Sequence, residues 1–213
     1  MTWTSAFGNA CGKLLRVIVN RMALARISPN FLTFLGLVID TVAAFLFGYA
    51  NADNQARMFF YAGLVIFGAG FFDLVDGRVA RASNQVTRFG AFFDSVVDRY
   101  SDAALFFGLL VYYARGGRFF YVVLVALAMI SSVMVSYTRA RAESLIETCK
   151  VGFLERPERL VLLIIGAVFN RMAPVLWVIA VLSTVTVAHR IYFTWLQTER
   201  PESTPVVAGR SAA

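Results

Sequence analysis

Long apolar runs separated by short polar breaks organise this chain. Phe31 to Ala50 is a run long enough for a crossing of ~30 Å at ~20 residues, with Asp40 in its middle. Met58 to about Ala82, about Arg88 to Tyr113, Phe119 to about Ala142, and Ala173 to about Tyr192 repeat the pattern. Leu160 to Phe169 is shorter and reaches crossing length only if it begins near Pro157 and continues past Asn170. Upstream, Lys13 to Arg26 has a different period. At 100° per residue Leu14, Leu15, Ile18, Met22 and Ala25 share one face, opposite Lys13, Arg16 and Asn20, the pattern of a helix lying along a membrane surface. Pro29 ends it, because it disfavours helix at Ser28 and suits the first turn of the next. The expected fold is therefore an all-α integral membrane protein, with an N-terminal interfacial amphipathic helix and six transmembrane helices. One membrane domain is expected over residues 1–198 and a disordered tail over 199–213, where Pro201, Pro205 and Gly209 interrupt a polar stretch.

Composition agrees with that pattern. Of 213 residues, 59% are hydrophobic and 15% charged, far from the balance of a soluble globular domain. The net charge of +7 does not point to nucleic acid, because the basic residues punctuate apolar runs and form no stripe on a polar domain. Arg57, Arg115, Arg118 and Arg171 fall in the odd-numbered loops, and the rest fall at the N-terminus, in the even-numbered loops or in the tail. The positive-inside rule then predicts that both termini are cytoplasmic in a plasma-membrane protein. No signal peptide is expected at the N-terminus. Cys11 and Cys149 have no metal-ligand spacing and read as reduced bystanders. His189, beside Arg190, reads as an interfacial or phosphate-contacting residue.

Against this background the stretch "FFDLVDGRVARASNQVTRFGAFFDSVVDRY", Phe71 to Tyr100, stands out for its four acids. An Asp at the centre of a membrane helix costs about 2.5–3.5 kcal/mol, so four unpaired ones at the midplane would cost roughly 10–14. Their spacing makes them converge. Asp73 and Asp76 lie at i, i+3 with Gly77, Ala80 and Arg81 on the same side, and Asp94 and Asp98 lie at i, i+4. The short link from Ser83 to Thr87 makes the two helices antiparallel neighbours. Carboxylates so close need counter-charge. Arg78, Arg81, Arg88 and Arg99 would supply it as a static network, and interhelical glue or a proton relay is a second possibility. A third is a pair of hard cations, since all-oxygen ligands select Mg²⁺ or Mn²⁺ and two such ions roughly 3.5–4 Å apart suit displacement at phosphorus. Gly77 and Gly90 favour the third, because a missing side chain lets a bulky polar ligand approach the backbone.

The spacing Asp73-x2-Asp76-Gly77-x2-Ala80-Arg81-x8-Gly90-x3-Asp94-x3-Asp98 resembles, in every position, the signature of the CDP-alcohol phosphotransferase family. That resemblance implies six transmembrane helices after an interfacial one, a homodimer, and an enzyme that takes its donor from a CDP-lipid. It implies two Mg²⁺ ions, Mn²⁺ being an alternative, held by Asp73, Asp76, Asp94 and Asp98, with Asp98 also the general base on the acceptor hydroxyl. It implies that CDP-diacylglycerol lies over Gly77, Ala80 and Gly90, with Arg81 at its phosphate and Thr87, Asn30 and Thr33 completing the pocket. For Asn30 and Thr33, helix capping by "SPN" is an equal alternative.

Three further stretches bear on the acceptor. "SYTRARAE" (Ser136 to Glu143), "ERPER" (Glu155 to Arg159) and "AHR" (Ala188 to Arg190) place Arg139, Arg156, Arg159 and Arg190 at the level of the aspartates. Guanidinium groups there suit a phosphorylated acceptor. The first two runs resemble those of actinobacterial phosphatidylinositol phosphate synthases, which implies inositol phosphate as acceptor and phosphatidylinositol phosphate and CMP as products. Phosphatidylglycerophosphate synthesis, with glycerol 3-phosphate, is the alternative within the family, and a divalent-cation transporter the alternative outside it. Asp40 and Asp102 lie outside the signature and are expected to serve in helix–helix hydrogen bonding or in support of the cluster.

Overall fold

The computed structural model describes residues 28–82 and 87–199, with side chains described for all of these except 74–82. The expected interfacial helix at 13–26 and the tail from residue 200 lie outside the described residues. Six helices are present among the described residues: α1 (Pro29–Tyr49), α2 (Gln55–Ala82), α3 (Arg88–Arg115), α4 (Phe119–Ala142), α5 (Arg156–Val168) and α6 (Met172–Thr198).

Local chemistry sets the boundaries. The Ser28 hydroxyl accepts from Phe31 N–H at 3.3 Å and Pro29 takes the first helical position, where its missing N–H is harmless. The break after α1 is an Asn turn, in which Asn51 Oδ1 accepts from the Asp53 and Asn54 amides at 3.0 and 3.1 Å. Gly117, at φ 65°, turns α3 into α4. Asn170, at φ 52°, turns α5 into α6 and accepts a 2.9 Å hydrogen bond from the Gln55 amide.

The main helix contacts close a ring in the order α1, α3, α4, α6, α5, α2 and back to α1. Gly108 makes the α1–α3 contact possible, since a Cβ there would fall on the Ala44 backbone. Inside the ring Phe47, Phe59, Leu105, Leu109, Leu163, Leu176 and Ile179 are buried. Outside it Phe45, Phe67, Phe107, Ile130, Trp177 and Tyr192 are exposed on the single chain. Large apolar side chains over that much outer surface fit a multi-pass protein facing lipid.

Four helices, α1, the 55–73 portion of α2, α4 and α6, are long and apolar enough to cross a membrane. α3 has 28 residues, but its first half carries the acids. α5 has only 13 residues, a rise of about 20 Å. It starts at Arg156 and ends at Val168, just before the turn at Asn170.

Candidate active site

Asp73 is the last residue of α2 whose side chain is described, and Asp94 and Asp98 stand one turn apart near the start of α3. Each offers an oxygen within 4.8 Å of the others. The sequence spacing thus brings together the three acids whose side chains are described. Asp76, Gly77, Ala80 and Arg81 lie in α2, where the side chains are outside the description.

The counter-charge comes from an unexpected direction. Arg156, the first residue of α5, places Nη1 2.9 Å from Asp73 Oδ2 and 2.9 Å from Asp98 Oδ1. Arg99, a candidate partner by sequence, donates instead to the carbonyl and hydroxyl of Ser95 one turn back. Beneath Arg156 lies a second, drier layer. Asp102 pairs with Arg159 and lies 3.8 Å from Arg156 Nε. Arg159, expected among the acceptor-phosphate residues, is 0% exposed and turns its Nη2 to Asp102 inside the bundle. Asp40, 2% exposed on α1, reaches this layer through the Ser101 hydroxyl. Asp40 and Asp102 thereby link α1, α3 and α5 beside the acids.

Beside the acids opens a cavity of about 610 Å³, lined by Asp94, Asp98, Arg99, Arg139, Glu155, Arg156 and Arg190 among others. Three of the four candidate acceptor arginines reach it. Arg190 is held firmly: Nε donates to the Val151 carbonyl at 2.8 Å, Nη1 to the Val135 carbonyl at 2.5 Å and Nη2 to Glu155 Oε1 at 2.8 Å. Arg139 reaches the same Glu155 oxygen at 3.0 Å and Glu143 at 3.1 Å. Glu155 was missed as a functional residue from sequence, where it appears only as a letter of "ERPER". Thr186 was missed too; its hydroxyl accepts from the Phe153 and Leu154 amides at 3.1 and 3.2 Å and straps the 150s loop onto α6.

On the other flank the starts of α1 and α3 meet. Thr87 caps α3 by accepting from Gly90 N–H at 2.9 Å. A Cβ on Gly90 would lie 3.0 Å from the Thr87 hydroxyl and 3.4 Å from Asn30 Oδ1, so Asn30, Thr87 and Gly90 share one corner. Ser28, not Asn30, caps α1, which removes capping as the reason for Asn30. Thr33 is buried and donates to the Pro29 carbonyl at 3.2 Å.

The acid cluster fits a divalent cation. Its donors are carboxylate oxygens, suited to hard ions. One of them, Asp94 Oδ1, is buried and has no hydrogen-bond partner among the described residues, as a ligand atom awaiting a cation would be.

Acids from two helices gathered beside an arginine-lined cavity suit chemistry on a phosphorylated substrate. Residues 26–196 match the CDP-alcohol phosphatidyltransferase family, and the chain belongs to it. Its similarities narrow this further. The chain is 37% identical over 179 residues to an archaetidylinositol phosphate synthase of Pyrococcus horikoshii, covering 84% of this chain and 89% of that one. It is 35% identical over 189 residues to a phosphatidylinositol phosphate synthase of Mycobacteroides abscessus, covering 84% and 83%. The fold superposes on the crystal structure of Mycobacterium tuberculosis phosphatidylinositol phosphate synthase with CDP-DAG bound, at TM-score 0.77 and 29% identity, covering 94% of this chain and 100% of that one. A second structure of that enzyme, in complex with manganese and citrate, gives TM-score 0.73 at 29% identity, covering 93% of each chain.

Proposed function

We propose that this protein transfers the phosphatidyl group of CDP-diacylglycerol to inositol phosphate, releasing CMP. The observation that carries the reading is the position of Asp98, which belongs to the acid cluster and also lines the arginine-walled cavity. A carboxylate there lies between a cation site and an acceptor site. The names of the relatives support the acceptor, since both the archaeal and the mycobacterial protein make an inositol phosphate lipid and differ in the lipid moiety.

Asp98 takes the proton of an acceptor ring hydroxyl. The freed oxygen attacks the β-phosphorus of the donor, and the bond from that phosphorus to the bridging oxygen of CMP breaks. Arg139, Arg156 and Arg190 hold the acceptor phosphate as the cavity allows. Asn30, Thr33, Thr87 and Gly90, with Gly77, Ala80 and Arg81, seat the nucleotide. Asp73, Asp76, Asp94 and Asp98 would hold two Mg²⁺, or Mn²⁺ in their place. Bound there, such ions would supply positive charge to offset the negative charge developing at phosphorus during the transfer. The basic residues around the even-numbered loops support six crossings in the plasma membrane with both termini and the site cytoplasmic. A homodimer is proposed on the family resemblance alone.

Membranes carrying the protein, given Mg²⁺, CDP-diacylglycerol and labelled inositol phosphate, are expected to form phosphatidylinositol phosphate and CMP. Glycerol 3-phosphate and unphosphorylated inositol run in parallel test the acceptor. Turnover of glycerol 3-phosphate alone would refute inositol phosphate as the substrate.

A further inference from the structure

Glu155 and Arg156 are consecutive residues at the start of α5, yet they turn to opposite halves of the site. The Glu155 carboxylate sits between two guanidinium groups, at 3.0 Å from Arg139 and 2.8 Å from Arg190. The Arg156 guanidinium sits between two carboxylates, 2.9 Å from each of Asp73 and Asp98. An anion thus occupies the place suited to a phosphate, and a cation occupies the place suited to a metal ion. Without them the cavity would hold clustered acids on one wall and clustered arginines on the other, each repelling its own kind.

We propose that Glu155 and Arg156 form a paired internal stand-in for the two ligands, which keeps the empty site charge-balanced and is released as a unit on loading. The proposal rests on the functional reading above for where cation and phosphate bind. Its content is mechanical. Arg156 leaves Asp73 and Asp98 when a divalent ion takes their oxygens, and because Glu155 is the preceding residue, the same shift of the helix start withdraws it from Arg139 and Arg190. Arg190 Nη2 and Arg139 Nη1, and Arg156 itself, then become available to a phosphate, while Arg190 keeps its two backbone carbonyls and Arg139 keeps Glu143. Cation binding and phosphate binding are therefore coupled through one helix end, and linkage requires each to tighten the other by the same factor.

The test uses the full chain in lipid nanodiscs, with Mn²⁺ binding followed by electron paramagnetic resonance and inorganic phosphate binding by calorimetry. In the unaltered protein, saturating phosphate is expected to tighten Mn²⁺ binding about tenfold, the size of one charge-assisted hydrogen bond. Glu155→Gln removes the stand-in anion, so phosphate alone should bind about tenfold tighter and the coupling should fall toward none. Arg156→Gln should lower the thermal midpoint of the metal-free protein and leave the Mn²⁺-saturated midpoint unchanged. The proposal is overturned if Glu155→Gln keeps the original coupling, or if Arg156→Gln is destabilised equally with and without Mn²⁺. Should Arg156→Gln not fold, the Glu155→Gln coupling decides alone. Turnover of glycerol 3-phosphate instead of inositol phosphate would refute the acceptor and leave this coupling intact. Unaltered coupling in Glu155→Gln would refute the stand-in pair and leave the acceptor intact.

Discussion

Where α1 finishes and α2 begins, Phe47, Phe59 and Tyr112 meet edge to face, with ring centroids 5.0 and 4.9 Å apart. Further along α2 and toward the start of α3, Asp73, Asp94 and Asp98 are gathered, with an arginine from α5 paired to Asp73 and Asp98. The aromatic end is held by shape, with every neighbour satisfied by contact. The acidic end is held by charge, and its balance depends on which cation is present. A shape-packed region has one good arrangement, whereas a charge-packed region can exchange one partner for another. In the function proposed above the exchangeable end is the one that works, and the Asp102–Arg159 pair is buried beside it.

Substitutions should divide along that line. Asp98→Asn is expected to have the largest effect on turnover, a loss of about a thousandfold, within the range for removal of a general base. Circular dichroism and elution in detergent should be unchanged, and near-normal turnover would refute the base assignment. Arg159→Ala leaves Asp102 buried without its partner, and its cost should be about 3–5 kcal/mol of stability, as for a broken buried pair. A shift in thermal midpoint of less than a few degrees would show Arg159 to be dispensable to the layer. Phe59→Ala, at the aromatic end, should cost about 3 kcal/mol and leave Mn²⁺ affinity untouched. A changed Mn²⁺ affinity would show that the two ends are not independent. Thr87→Ala removes a cap worth about 1 kcal/mol; the accompanying readout is the KM for CDP-diacylglycerol, which should rise more than kcat falls.

Much of this was legible in the sequence, and the boundary of legibility is physical. α4 falls where expected, Phe119–Ala142, because Gly116 and Gly117 precede it and a polar segment follows. Asp94 and Asp98 share a face as their spacing requires, because helical period decides which residues do, and Asp73 meets them from the neighbouring helix. The partner of those acids was not legible. Arg156 is 83 residues from Asp73, and nothing periodic links them. Arg159 carries the same charge three residues on, but a three-residue step along α5 turns it to Asp102, inside the bundle, and leaves only Arg156 in the cavity. Composition marks both arginines alike; only packing tells the one inside the bundle from the one at the cavity. The shortness of α5 was half legible, since its apolar run is brief, yet the turn at Asn170 that ends it depends on a left-handed backbone which a sequence pattern does not reveal.

The brevity of α5 also bears on how two unlike reactants meet. Spanning helices of 21 to 28 residues surround a helix of 13, so about 10 Å of the hydrocarbon thickness has no rod to fill it at that point in the wall. The start of that short helix lines the polar cavity together with Arg139 and Arg190. A sugar phosphate that never leaves the aqueous phase and a nucleotide tethered by fatty chains can share a bond only where the shoreline between their two solvents is pulled down, and a truncated strut in an otherwise tall palisade makes that inlet.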